Sequence, residues 1–226
     1  MSRRQGQSRR DLLISDRPVL YVLAGVNGAG KSSIGGHFLT QAGLTWYNPD
    51  DFARTLATNY GVSQEQANIE AWQESVRRLR HAMAARRSFA FETTLGGQSI
   101  TQYLLQACKT HDVMVWYCGL RDPQLHLDRI KLRVQNGGHD IPEAKVRQRW
   151  ESSLRNLIIL MPTLAYLRVY DNSTQYALGQ AIGEPRLLLE MSAAKRLYPI
   201  TLTEAANTPG WAKPALEMAF ELDPGR

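Results

Sequence analysis

Cysteine is scarce in this chain of 226 residues. Its two cysteines, Cys108 and Cys118, supply neither a paired metal-ligand spacing nor a disulfide framework. Cys118 lies inside an apolar run, which predicts a buried, reduced thiol. No apolar stretch reaches membrane-spanning length, and no signal-peptide core is visible. A cytoplasmic protein without membrane contact is the expectation. There is no Ser/His/Asp triad spacing, no zinc pattern, no internal repeat and no low-complexity linker. Acids are missing from the first ten residues, where Arg3, Arg4, Arg9 and Arg10 stand. Those four arginines carry most of the formal charge of +6. The excess therefore marks a flexible basic tail, residues 1–15, and not a long basic groove. Nucleic acid is an unfavoured partner on that ground.

What remains is a chain that is 43% hydrophobic, enough for a real core, with one domain expected over residues 16–226. Strands are predicted at Pro18–Ala24, Leu44–Tyr47, Ser88–Glu92, Asp112–Gly119 and Leu167–Tyr170. Helices are predicted at Ser33–Thr40, Ser63–Arg87, Gln98–Lys109, Pro123–Val134 and Glu143–Leu160. Ser63 with Gln66 reads as a capping box. Ile69, Trp72, Val76, Leu79 and Met83 recur at three- and four-residue steps, which predicts a buried stripe. Alternating strands and helices predict an α/β fold with a mainly parallel five-stranded sheet flanked by helices. A small C-terminal appendage, about 180–226, would hold a hairpin (Arg186–Met191 with Arg196–Ile200) and a last helix (Lys213–Phe220). Ligands of such sheets sit at the carboxyl ends of the strands.

The most informative stretch follows the first strand: Gly25-Val26-Asn27-Gly28-Ala29-Gly30-Lys31-Ser32. Two glycines five positions apart, then Lys and Ser, between strand and helix, form a P-loop. Glycines let backbone amides turn inward around phosphate oxygens, and the following helix aims its positive dipole end at the same anion. Asn27, Gly28, Ala29, Gly30, Lys31, Ser32 and Ser33 are the predicted ATP-binding residues. Lys31 would reach the outer phosphates and Ser32 would bind Mg²⁺.

Asp50 and Asp51 follow the second predicted strand, beside that edge. A carboxylate there can deprotonate an acceptor hydroxyl, and Asp is also a favoured helix cap. Asp50 is assigned to the chemistry and Asp51 to the cap. Glu92, with Thr93 and Thr94, ends the third predicted strand at the ligand edge and would hold a substrate hydroxyl or phosphate. Arg129 and Arg133 lie four apart on one helix, followed by the Gly137-Gly138 loop and by Arg147 and Arg149. This reads as a lid, about 129–150, whose arginines close on phosphates. Arg133 and Arg149 are the chosen catalytic cations. Arg129 is open between pairing with an acid and lying against adenine, and His139 between contacting the substrate and organising the turn. Asp171 reads as a turn-former.

Together these segments resemble the zeta-toxin family of P-loop kinases, from about Pro18 to Ser173. The resemblance rests on the P-loop, on Asn48-Pro49-Asp50-Asp51-Phe52-Ala53-Arg54, on Phe91-Glu92-Thr93-Thr94, on Arg133 through Pro142 with its Gly-Gly-His lid, and on Val146 through Trp150. It implies an ATP- and Mg²⁺-dependent kinase, with Asp50 as base and Glu92 recognising the acceptor. It further implies a nucleotide sugar such as UDP-N-acetylglucosamine as acceptor, and an antitoxin protein as a partner by analogy. The rival expectations are a nucleoside or polynucleotide kinase, and a nucleotide-binding switch without catalysis.

Overall fold

The structure is a computed structural model that describes residues 16–32, 35, 39, 43–174 and 184–225. The expected basic tail, Ser33 and most of the predicted helix that it opens lie outside the described residues. β1 (Val19–Ala24) runs between β2 (Phe89–Thr93) and β3 (Asp112–Gly119), parallel to both. β4 (Tyr166–Asp171) continues the parallel set beside β3. β5 (Arg186–Ser192) and β6 (Lys195–Tyr198) then extend the sheet antiparallel, in the order β2-β1-β3-β4-β5-β6.

The class is the expected α/β, but the sheet has six strands and a different membership. The C-terminal hairpin adds its two strands to the central sheet. Leu44–Tyr47 forms no strand: Tyr47 alone bridges to Phe91, and its backbone exchanges bonds of 2.9 Å with Ala90 and Glu92. Pro49, two residues on, has no N–H to continue a ladder and instead opens the first described helix.

That helix is α1 (Pro49–Tyr60), capped by Asn48, whose side chain accepts the Asp50 N–H at 2.9 Å. Asp51 is therefore not the cap; it pairs with Arg54 on the exposed face. Gly61 closes α1 in the left-handed conformation, and α2 (Gln64–Ala85) begins three residues later. Ser63 accepts the Gln66 N–H at 3.2 Å, but the Gln66 side chain bonds Glu70 at 2.8 Å, so only half of the expected capping box forms. Of the stripe expected on α2, Leu79 is buried and Val76 and Met83 pack against the core, but the first two members do not. Ile69 is 45% and Trp72 50% exposed, while Ala67, Ala71, Ser75, Leu79 and Ala82 face inward. Ala67 and Ala71 pack on Ala53 of α1, while Leu79 and Ala82 join the core beside the sheet.

The other described helices are α3 (Gln98–Ala107), α4 (Pro123–Gln135), α5 (Glu143–Leu160), α6 (Leu202–Ala206) and α7 (Lys213–Leu222). Leu79 of α2, Leu104 of α3, Leu157 of α5 and Leu216 of α7 join Leu20 and Val22 in one core. The opposite face of β1 and β2 packs Leu23 and Ala90 against Leu39. A parallel strand covered on both faces reads as a continuous apolar run, as β3 does. None of the helices among the described residues is long and apolar enough to cross a membrane.

β1 feeds neighbours on both its sides, so a crevice opens where its carboxyl end meets those of β2 and β3. Gly25 stands at this point with φ +134°, and a Cβ there would lie 2.1 Å from the Cys118 carbonyl oxygen. Only glycine permits the loop to leave the sheet so close to β3.

Candidate active site

The loop after β1 is held from outside. Cys118 Sγ and Asn172 Nδ2 both donate to the Ala29 carbonyl, each at 2.9 Å. The His126 ring on α4 bonds the Asn27 carbonyl through Nδ1 at 2.7 Å. Arg129 donates at 3.5 Å to the Gly28 carbonyl, at 2.7 Å to that of Asn172 and at 3.3 Å to that of Thr174. In a planar trans peptide the C=O and the next N–H point opposite ways. Tying back the carbonyls of Asn27 and Ala29 therefore turns the Gly28 and Gly30 amides to the other side of the loop. The positive φ of Gly28 (+82°) and Gly30 (+86°) makes this path available. The result is the donor-lined concavity that an anion needs, so the residues present fit a polyphosphate.

Burial pushes the Cys118 thiol up to about 12, so it stays protonated and serves as a donor. Lys31 is half-buried, its Nζ 3.5 Å from the Val26 carbonyl. Ser32 is exposed at the start of the helical turn, and Ser33 lies outside the described residues.

Beside this loop lies a cavity of about 200 Å³. Asn27 and Lys31 form its P-loop wall, and Glu92, Thr93 and Thr94 bring in the end of β2. Asp50 enters from α1, His139 from the loop between α4 and α5, and Arg149 from α5. Eight residues expected at the site thus meet around one space. Gly28, Ala29, Gly30, Ser32, Arg129 and Arg133 are not in its wall. Arg129 serves the back of the loop. Arg133 places Nη1 3.7 Å from Asp50 Oδ2 and donates Nη2 to the His139 carbonyl at 3.1 Å. Arg147, two residues before Arg149, points away and pairs with Glu143 on the surface.

Arg149 donates Nη1 to Asn27 Oδ1 at 2.8 Å. Burial pulls the pKa of its guanidinium down and the Asp50 charge opposes that shift. Gly96 makes room for it, since a Cβ there would stand 2.8 Å from Arg149 Cγ. Glu92 is 6% exposed, and Trp46 donates to its Oε1 at 3.2 Å. A carboxylate so placed keeps acceptor capacity for a hydroxyl. The Thr93 and Thr94 hydroxyls accept the Leu95 and Gly96 amides at 3.0 and 3.4 Å, and each still has a proton to donate. Burial lowers the pKa of His139, with Asp50 opposing, so the ring is neutral near pH 7. Asp171 accepts from Ser173 and from Trp211, the role of a turn organiser.

Sequence reasoning missed the fourth wall. Asn68, Ala71, Trp72 and Ser75 occupy one stripe of α2 and line the cavity, as do Asn48 and Lys145. Of the four on α2 only Trp72 belonged to the expected stripe, where it read as core. His126, Cys118 and Asn172, which anchor the loop from behind, lie too far along the chain for any local pattern to expose them.

The chain matches no protein-family model. It is 29% identical, over 63% of its length and 99% of the relative's, to an uncharacterised protein of Haemophilus influenzae. Among solved structures it is similar to a chain of the AvrRxo1-ORF1:AvrRxo1-ORF2 complex, with a TM-score of 0.58 at 14% identity. That alignment covers 90% of this chain and 64% of the other, so this chain spans just under two thirds of its neighbour's length. The same complex solved with ATP gives a TM-score of 0.58 at 16% identity, with the same coverage. A structure from the PezAT toxin-antitoxin system of Streptococcus pneumoniae gives 0.54 at 14% identity, covering 97% of this chain and 85% of that one. These likenesses establish a shared fold.

Proposed function

We propose that this protein is an ATP-dependent phosphotransferase that moves the γ-phosphoryl group to a hydroxyl of a small-molecule acceptor. One observation carries the reading: Lys31, Asp50, Glu92 and Arg149 converge on a single cavity beside a loop whose carbonyls are tied back. The amides of Gly28 and Gly30, Lys31 and Ser32 would hold ATP with Mg²⁺; when bound, that pair supplies the phosphoryl group and neutralises charge on its outer oxygens. Asp50 accepts the acceptor's hydroxyl proton as the new O–P bond forms and ADP departs. Glu92, with Thr93 and Thr94, orients the acceptor. Arg149 and Arg133 meet the charge of the transferring group, and His139 closes the cavity from the lid. The exposed Trp72 ring, flanked by Asn68, supplies the flat face and the amide that a nucleotide sugar such as UDP-N-acetylglucosamine would use. The fold shared with toxin–antitoxin structures supports an antitoxin-like protein partner.

The test is incubation with γ-labelled ATP and a panel of UDP-sugars, nucleosides and RNA ends. Label on a UDP-sugar is the expected result. Label on a nucleoside or an RNA end would replace the acceptor by that of a nucleoside or polynucleotide kinase. Tight ATP binding with no transfer to any of them would make the protein a nucleotide-binding switch.

A further inference from the structure

His126 is fully buried in the second turn of α4, and its ring faces the back of the P-loop. Nδ1 lies 2.7 Å from the Asn27 carbonyl oxygen. That oxygen carries no proton, so Nδ1 must carry the ring's. Nε2 has no hydrogen-bond partner among the described residues. It belongs to a ring that lines a cavity of about 60 Å³ with Val26, Tyr117, Trp150, Glu151 and Trp211. A leucine would fill such a place without an orphaned nitrogen, and an unsatisfied buried acceptor costs stability. The imidazole's return on that cost is the bond to Asn27. The α4 backbone reinforces the contact: a Cβ on Gly28 would stand 3.0 Å from the His126 carbonyl oxygen and 3.6 Å from its Cα. Loop and helix are therefore fitted to each other at this one peptide.

We propose that His126 is a positioning residue of the phosphate cradle: its Nδ1–H fixes the Asn27–Gly28 peptide and so aims the Gly28 amide at a bound polyphosphate. This rests on the reading of the cradle as a nucleotide site. Asn27 is the junction of two restraints. Its backbone oxygen is held by α4 through His126, and its side chain by α5 through Arg149. The charged groups around the ring are Lys31 on the loop, Arg129 and Asp122 on α4, and Glu151 on α5. The two nearby cations favour the neutral ring, which has a single N–H to give and gives it to Asn27.

Variants of different reach test this. His126→Asn puts an amide N–H where Nδ1 was, His126→Gln puts it where Nε2 was, and His126→Leu removes both. Calorimetry near neutral pH reads the MgATP affinity, and melting temperature reads the fold. His126→Asn should bind within about threefold of the natural protein, while His126→Gln and His126→Leu should weaken by about tenfold or more. Equal affinities for the Asn and Gln variants would overturn the assignment, as would natural affinity in the Leu variant. If the Leu variant does not fold, the Asn–Gln comparison decides. Nitrogen NMR of the ligand-free protein should find the His126 proton on Nδ1; a proton on Nε2 alone would overturn the proposal. A natural protein that binds no MgATP would defeat the nucleotide reading, and the ring's tautomer would then decide the strut by itself.

Discussion

Acidification should loosen this protein through His126, by an amount that the burial of the ring sets. The imidazole falls from its ordinary 6.5 to about 4, chiefly because burial penalises its charged form. The Asn27 carbonyl opposes the shift, and the charges of Lys31 and Arg129 add to it. The unfolded chain takes up a proton as pH drops through 6.5, while the native state does so only near 4. The contribution is thus complete above the unfolded value and is lost as pH falls through this window. At about 1.4 kcal/mol per tenfold in proton affinity, the loss amounts to about 3 kcal/mol. For a domain of this size that is roughly 6–12 °C in melting temperature. The assay is a series of melts between about pH 7 and 4.5 on the natural protein and on His126→Asn, which has no imidazole to titrate. His111 is also buried with a lowered pKa, but both proteins carry it, so its effect subtracts. The natural protein should lose the larger share of stability. Parallel curves for the two would refute the argument.

Asp50→Asn should bind MgATP as tightly as the natural protein and transfer phosphoryl groups about 10²- to 10⁴-fold more slowly, the range of a lost general base. Single-turnover transfer of label to the acceptor checks it, and an unchanged rate would remove Asp50 from the chemistry. Trp72→Ala should leave the melting temperature nearly unchanged, because half of the ring is already in water. It should raise the KM for the acceptor about tenfold, the order of one lost stacking contact; an unchanged KM would detach α2 from recognition. Gly25→Ala should cost about 3 kcal/mol or more, since its Cβ would fall 2.1 Å from the Cys118 carbonyl at a φ of +134°. Denaturant unfolding measures that cost, and natural stability would show that the loop is free to shift.

The parts of the fold that the sequence made legible are those governed by local rules. The P-loop follows a strand, and β3 reads as doubly covered because both of its faces are apolar. Glu92 could be placed at the ligand edge because it ends a strand, Asp50 because it follows a short extended segment beside β2, and Arg149 because it follows the Gly137-Gly138 loop. Contacts between distant segments were not legible. The loss of the Leu44–Tyr47 strand turns on one bridge from Tyr47 to Phe91. The facing of α2 follows from packing, since Ala67 and Ala71 fit against Ala53 of α1, which leaves Ile69 and Trp72 half in solvent. Arg133 and Arg149 looked equivalent in the chain, yet only Arg149 enters the cavity wall, because Arg133 is occupied with Asp50 and with the carbonyl of His139.

The bond from Arg149 to Asn27 has a consequence for selectivity. This cation is already spoken for within the protein, and so, more loosely, is Lys31. A stray orthophosphate or sulfate would have to prise both away with a single tetrahedron's worth of oxygens. A triphosphate in the proposed site would meet all of these groups at once, and so would outbid the protein's own oxygens where a lone anion would not. Failure of millimolar-scale orthophosphate to compete with ATP in a titration is the signature; efficient competition would mean that the clasp guards nothing.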